Sequence, residues 1–257
     1  MLTLGIETTA DRLSLALLEK DRRASGASWS PELCEGGRAI TLWEKKEPLQ
    51  QDRHWTQGIK TLLTKTGKTF SRIQLVGVSC GPGRFTGVRV GITMAKTLGY
   101  ALKIPVLGVS TLDALAWQWV IELKPPHAHK PEKQIICPIL TAIRDEVFTA
   151  IYIFHPKTGK LERRTRRLWL EAGSFERNIR AWAKTFPGAW VLLGNGLKGK
   201  KDAFLSILPS QARFATASLH PLHADSVASY ALHLWETGKR PEPEPLYIKK
   251  SHVELSH

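Results

Sequence analysis

Two overlapping stretches of this sequence set reactive or anion-binding residue types at spacings that suggest chemistry. Gly81-Pro82-Gly83-Arg84-Phe85-Thr86-Gly87 follows an apolar run and opens a helical pattern. In that place backbone N–H groups at a helix start can hold an anion. The G-x-G-x-x-x-G spacing is one residue longer than a dinucleotide fingerprint. Thr66-Gly67-Lys68-Thr69 supplies a Walker-type G-K-T, yet Leu62 stands where the first glycine belongs, so that loop is excluded. For the glycine turn, a structural bend and a phosphate cradle both stay open. Gly77-Val78-Ser79-Cys80-Gly81 also fits G-x-S-x-G, the nucleophile elbow of α/β-hydrolases. Pro82 stiffens the chain directly afterwards and the next helix begins late for that fold. Both points count against a Ser79 nucleophile.

Other constellations are weaker. No two histidines stand four apart: His127 and His129 lie in a proline loop, and His220 and His223 are three apart. A local metal-ligand motif is therefore not expected. Arg163-Arg164-Thr165-Arg166-Arg167, with Trp169 close behind, reads either as a solvated edge or as a contact for RNA phosphates with a stacking ring. Gly87, Gly91, Ala95 and Gly99 recur every four residues along one helix face. Glycine costs about 1 kcal/mol per helical position relative to alanine. The stripe therefore implies backbone-close packing, either within the chain or as a helix-to-helix dimer interface.

The elements that carry these residues follow from hydrophobic periodicity. Residues 2–7 and 13–18 read as two strands joined by a hydroxyl-rich turn, and 39–43 as a third. In 52–66, Trp55, Ile59, Leu62 and Leu63 share one helical face. Apolar strands at 75–80 and 104–109 alternate with helices at 86–102 and 111–123, which implies a parallel stretch of sheet. Lys124 to Lys133 is rich in proline and breaks the pattern, dividing the chain into lobes of 1–123 and 124–257. Beyond it, strands are expected at 135–141, 147–154 and 189–193, helices at 175–185 and 225–235, and a stiff linker over 241–245. The fold class expected is α/β.

The chain has 257 residues, 37 Lys and Arg against 23 Asp and Glu, and a net charge of +14. That surplus favours polyanionic neighbours, although it is scattered rather than gathered in one groove. Cys34, Cys80 and Cys137 form no C-x-x-C pair, which argues against a disulfide framework or zinc knuckle and for a reducing compartment. Glu7 interrupts the N-terminal apolar run, so no export signal is expected, and no run approaches a membrane span. A cytoplasmic protein is the expectation.

Cys80 to Lys96, C-G-P-G-R-F-T-G-V-R-V-G-I-T-M-A-K, closely resembles the signature of the TsaB (YeaZ) family. Val106 to Ala116 continues the likeness, and Gln51 to Leu63, Glu146-Val147-Phe148, Gly194-Asn195-Gly196 and Leu246-Tyr247-Ile248-Lys249 follow in the right order. The resemblance implies a two-lobed actin-like (actin/Hsp70/sugar-kinase) fold with a degenerate nucleotide cleft. It implies a non-catalytic subunit that pairs with a TsaD-type transferase and a TsaE-type ATPase, and meets tRNA through the complex. The modification concerned is threonylcarbamoylation of the adenosine beside the anticodon. Implied partner-interface residues are His54, Trp55, Ile59 and Leu62, with Gly87, Gly91, Ala95 and Gly99; the same patch would serve a homodimer. Implied remnants of a cofactor cleft are Glu7, Thr8, Thr9, Gly83, Gly194 and Gly196, with ATP or ADP as the ligand in the complex. The chain departs from the pattern at Glu7, where an aspartate is usual, at Arg84 in place of serine, and at Thr141-Ala142-Ile143 in place of Asp-Ala-Arg. The alternatives are an independent nucleotide hydrolase or peptidase-like enzyme of the same fold, and a basic RNA-binding module.

Overall fold

The structure, a computed structural model, describes residues 1–20, 37–45, 51–122, 133–198, 208 and 212–248. Apart from Gly37 and Lys133, the loops expected at 22–37 and 124–133 lie outside the described residues. Strand β1 (Leu2–Glu7) is buried on both faces, which suits a central strand. β2 (Leu13–Lys20) returns antiparallel to it, with Leu4 opposite Leu17 and Glu7 opposite Ser14, and β3 (Gly37–Lys45) continues antiparallel. On the other flank β4 (Ile73–Ser79) and β5 (Val106–Val109) run parallel. The order is β3-β2-β1-β4-β5.

One face of this sheet is covered by α1 (Gln51–Thr66) and α2 (Phe85–Leu102). Ile59, Leu62 and Leu63 of α1, with Val88, Ile92, Ala95 and Leu98 of α2, close over Leu4, Ile6, Leu15, Val76 and Val78. Each fully buried leucine or isoleucine contributes about 1.5–3 kcal/mol, which fastens both helices. Gly67 ends α1 at φ +64°, and Lys68 N–H donates back to the Leu63 carbonyl at 3.0 Å. α3 (Thr111–Glu122) lies on the opposite face.

The second sheet holds β6 (Gln134–Thr141), β7 (Val147–Thr149), β8 (Tyr152–His155), β9 (Lys160–Arg163), β10 (Leu168–Leu170), β11 (Ala189–Leu193) and β12 (Arg213–Phe214). Its main path is β10-β7-β6-β11-β12, and the β8–β9 hairpin also pairs with β6. α4 (Ala172–Thr185) buries Phe175 and Ile179 against this sheet's Ile135, Trp190 and Leu192.

The strand expected over 147–154 is broken in two, because Pro138 in β6 has no N–H to offer the ladder. Thr149 Oγ1 instead donates to the Pro138 carbonyl at 2.8 Å. Ile151 turns outward from β6: its N–H goes to Thr165 Oγ1 at 2.9 Å and its carbonyl accepts from Arg164 N–H at 2.7 Å.

α5 (Ala224–Glu236) comes from the far end of the chain but packs on the first sheet. The approach is close enough to require glycine. A Cβ on Gly5 would fall 2.0 Å from the Ala224 carbonyl oxygen, and one on Gly77 would fall 2.5 Å from Ala231 Cβ. α3 and α5 meet through the Trp117 indole, which donates to Ser229 Oγ at 3.0 Å. A shared apolar cluster, including Leu107, Trp117, Tyr152, Leu193 and Val227, joins the two sheets. After α5 the chain returns across the first sheet as a strap rather than a free linker. Gly108 N–H donates to the Pro241 carbonyl at 3.0 Å, and Leu246 N–H to the Cys80 carbonyl at 2.7 Å.

Candidate functional site

Between the two sheets lies a cavity of about 900 Å³. It is bounded by the β1–β2 turn (Thr9 to Arg12), the glycine turn (Pro82 to Thr86), the end of β6, the 3₁₀ turn after β11, and the strap. Of the six residues expected in a cofactor cleft, Thr9 and Gly83 line this space. All six are engaged in packing or bonding within the chain itself.

Glu7 is fully buried at the end of β1, and burial pushes its pKa up. Thr9 N–H and Thr9 Oγ1 both donate to Oε1 at 2.6 Å, while the buried Oε2 has no hydrogen-bond partner. The Thr8 hydroxyl donates to the Gly87 carbonyl at 2.8 Å, inside the helix α2 backbone. A Cβ on Gly83 would lie 2.5 Å from Thr9 Cβ, and one on Gly194 would lie 2.1 Å from the Ile139 carbonyl oxygen. Gly196 is held against Ile139 in the same way. The close approaches at Gly83, Gly194 and Gly196 are taken by neighbouring chain rather than left open as a cradle for phosphate. The glycine turn is a structural bend: Arg84 N–H donates to the Thr9 carbonyl, and Thr111 N–H to the Gly81 carbonyl, each at 2.8 Å.

The hydrolase elbow is also decided by burial. Ser79 is 0% exposed within the sheet, and its hydroxyl is directed at the Ile6 carbonyl at 3.4 Å. Neighbouring Cys80 is buried, which pushes its thiol up to about 12. Neither side chain is presented to a substrate.

The small-residue stripe turns inward. Gly87, Gly91, Ala95 and Gly99 are buried; a Cβ on Gly91 would lie 2.2 Å from Thr8 Oγ1, and one on Gly99 would lie 2.3 Å from Val106 Cγ2. The stripe therefore lets α2 sit down on its own sheet, and Ile59 and Leu62 do the same for α1. His54 and Trp55 are half-buried, and His54 Nε2 faces Lys45 Nζ at 2.9 Å. The outward face of the helix pair instead shows Lys60, Arg89, Thr93, Lys96 and Tyr100, whose ring is 90% exposed.

The arginine cluster divides. Arg167 donates to Asp113 Oδ2 at 2.6 Å, and Tyr152 donates to Asp113 Oδ1 at 2.5 Å, tying α3 to the second sheet. Arg163, Arg164 and Arg166 stay exposed.

What sequence reasoning missed is the cavity's charge and its rings. Arg12, Arg84 and Lys198 line it, as do Phe85, Phe148, Trp169 and Tyr247. Arg12 is held by Glu44 Oε2 at 3.1 Å, and Glu44 Oε1 meets His223 Nδ1 at 2.9 Å. The other ring nitrogen of His223 faces the Ser218 carbonyl at 3.1 Å. Both imidazole nitrogens thus face acceptors, which favours the doubly protonated ring. The Glu44 contact raises the His223 pKa, and the same contact lowers that of Glu44. Arg84 left a signal as the residue that replaces serine in the glycine turn, and Trp169 as a ring beside the arginine cluster, but nothing in the sequence brought them into one space.

Comparison with known proteins bears on this geometry. The family model described as TsaD: tRNA N6-adenosine threonylcarbamoyltransferase matches residues 52–160. The tRNA threonylcarbamoyladenosine biosynthesis protein TsaB of Bacillus subtilis (strain 168) is 30% identical over 162 residues, 63% of this chain and 58% of that protein. A Pseudomonas aeruginosa crystal structure, of an uncharacterized protein with similarity to peptidase YEAZ, superposes with a TM-score of 0.70 at 25% identity, covering 96% of this chain and 99% of the other. The chain is thus similar to TsaB (YeaZ) proteins, in sequence over part of its length and in fold over nearly all of it. It spans 58% and 60% of the first two curated TsaB relatives. An inorganic polyphosphate/ATP-glucomannokinase from Arthrobacter sp. strain KM shares the fold alone, with a TM-score of 0.52 at 11% identity, covering 92% of this chain and 99% of the other. The chain therefore has the actin/Hsp70/sugar-kinase architecture that the resemblance implied. Among its described residues, no helix is long and apolar enough to cross a membrane.

Proposed function

We propose that this chain is a non-catalytic subunit of the tRNA threonylcarbamoyladenosine biosynthesis machinery, working in the cytoplasm and supporting a TsaD-type threonylcarbamoyltransferase by direct pairing. The observation that carries this reading is the state of the cleft between the lobes. Glu7, Thr8, Thr9 and Gly83, expected as remnants of a nucleotide cleft, here bond and pack to one another and to α2. A lobe that keeps the architecture while spending these residues on its own packing suits a scaffold. Ser79 lies within the sheet core, which counts against the peptidase-like alternative.

Pairing is assigned to the outward face of α1 and α2. His54, Trp55, Ile59, Leu62, Gly87, Gly91, Ala95 and Gly99 shape the helix pair from within, and Tyr100, Arg89 and Lys96 meet the partner. A TsaE-type ATPase and tRNA join through the assembled complex, and ATP or ADP belongs to that complex. A homodimer through the same face competes with the heterodimer. Size-exclusion chromatography with light scattering, on this chain alone and mixed with its own organism's TsaD-type protein, tests the proposal. A one-to-one heterodimer that Tyr100→Asp abolishes without unfolding the chain is expected. Separate, unchanged peaks would remove the subunit reading.

A further inference from the structure

The cavity between the two sheets carries aromatic and cationic side chains that, apart from Arg89, the proposed partner face does not use. Two aromatic pairs line it, one beside the first sheet and one on the second. Beside the first sheet Tyr247 of the strap stacks on Phe85 with ring centroids 5.7 Å apart and planes 26° from parallel. The Arg89 guanidinium sits 3.9 Å from the Phe85 ring centre and donates to Tyr247 Oη at 3.2 Å, completing a ladder. Phe85 is 54% exposed and Tyr247 57%. On the second lobe the rings of Phe148 and Trp169 meet at 5.3 Å, and the Trp169 indole is anchored to Glu146 Oε2 at 2.7 Å. Arg12, Arg84 and Lys198 line the same space with one carboxylate, Asp11. Outside it, exposed Arg163, Arg164 and Arg166 stand on the segment that leads from β9 to Trp169.

Each feature narrows the ligand. Aromatic faces accept any nucleobase, and nearby cations track a phosphodiester chain. A free nucleoside triphosphate would concentrate its charge at one point. Here cations stand both in the cavity lining and on the β9–β10 connection, which suits a chain carrying one phosphate per base. We infer that this cleft takes an unpaired base of a single-stranded RNA segment against the Tyr247 and Trp169 faces. Flanking phosphates lie on Arg12, Arg84 and Lys198, and the strand leaves along Arg163, Arg164 and Arg166. The choice of RNA rests on the proposed function; the stacking geometry does not.

The test uses the full chain and a short single-stranded RNA carrying one 2-aminopurine, whose fluorescence falls when it stacks. Wild type is expected to quench the probe, and Tyr247→Ala or Trp169→Leu to weaken binding about 5- to 100-fold and restore the fluorescence. Arg84→Gln and Arg163→Gln are each expected to flatten the log–log salt dependence by about 0.7. Circular dichroism checks that each variant is folded; Tyr247 is a surface residue, so its variant serves if Trp169→Leu is not. Unchanged quenching and affinity in Tyr247→Ala would overturn the inference. So would Mg-ATP displacing the probe at stoichiometric occupancy, which would make this a mononucleotide site, or binding weakened by the arginine variants with no quenching at all. Light scattering with the TsaD-type partner, run beside the quenching assay on the wild-type chain, keeps the two readings apart. A heterodimer without quenching sinks the RNA site alone, and quenching without a heterodimer sinks the subunit reading alone.

Discussion

Replacing Gly91 by alanine is expected to destabilise the chain by about 1–3 kcal/mol, even though alanine is the better helix former by about 1 kcal/mol. The new Cβ would stand 2.2 Å from Thr8 Oγ1, well inside contact distance. Thr8 cannot swing aside cheaply, because it is buried, β-branched and bonded to the Gly87 carbonyl at 2.8 Å. Accommodation must shift α2 or break that bond, at about 1 kcal/mol for the bond and about 1–3 for the overpacking. Removing the hydroxyl should rescue the variant. In Thr8→Ala the remaining contact is the residue-8 Cβ at 3.4 Å, an ordinary separation. A double-mutant cycle by urea denaturation is therefore expected to show a coupling of about 2 kcal/mol between residues 8 and 91. Additive effects within about 0.5 kcal/mol would refute the contact. Loss of partner binding by Gly91→Ala at unchanged stability would show instead that the stripe meets the partner directly.

Three further outcomes are expected. Asp113→Ala should cost about 3 kcal/mol in urea unfolding, since it leaves Arg167 half-buried without its anion; an effect under about 1 kcal/mol would show that the lobes are held without this link. The Glu44–His223 pair should make stability depend on pH in a definite sense. The raised His223 pKa gives stability that is complete below 6.5 and lost as pH rises through the folded value, and the lowered Glu44 pKa gives stability present above 4.5 and lost as pH falls. His223→Gln should therefore cost most between pH 4.5 and 6.5 and progressively less above, and an equal cost at about pH 9 would contradict the assignment. Burial pushes the thiols of Cys80 and Cys137 up to about 12. Neither should be alkylated in the native protein at about pH 8, and a labelled peptide from either would show that the core opens there.

Much of the architecture was legible because it rests on local pattern. The alternation at 2–7, the apolar run before Ser79 and the one-sided helix containing Ile59 and Leu62 each declare themselves in a few residues. The break between Thr149 and Tyr152 was not, since it depends on Pro138 lying opposite in a neighbouring strand. Strand β9 hid for another reason: Lys160-Leu161-Glu162-Arg163 is charged, as an edge strand can be, and the cluster that follows reads equally well as loop. The candidate site fared worse. Small residues at helical spacing announce a close approach without saying to what, and here the answer is Thr8 and Val106. The cavity's rings and cations come from the β1–β2 turn, the glycine turn, β7, β10 and the strap. No short stretch of chain contains enough of them to form a motif.

The docking of α5 also constrains how the molecule is made. The first sheet is complete in strands by Val109, yet the part of its face bearing Gly5 and Gly77, beside α3, stays uncovered until residues 224–236 are available. During synthesis, the first lobe must therefore wait with an open apolar surface while more than a hundred further residues emerge. Its final closure couples the first strand to nearly the last helix, a long-range contact that forms slowly. A fragment ending near residue 123 would be half a sandwich, with the sticky side out.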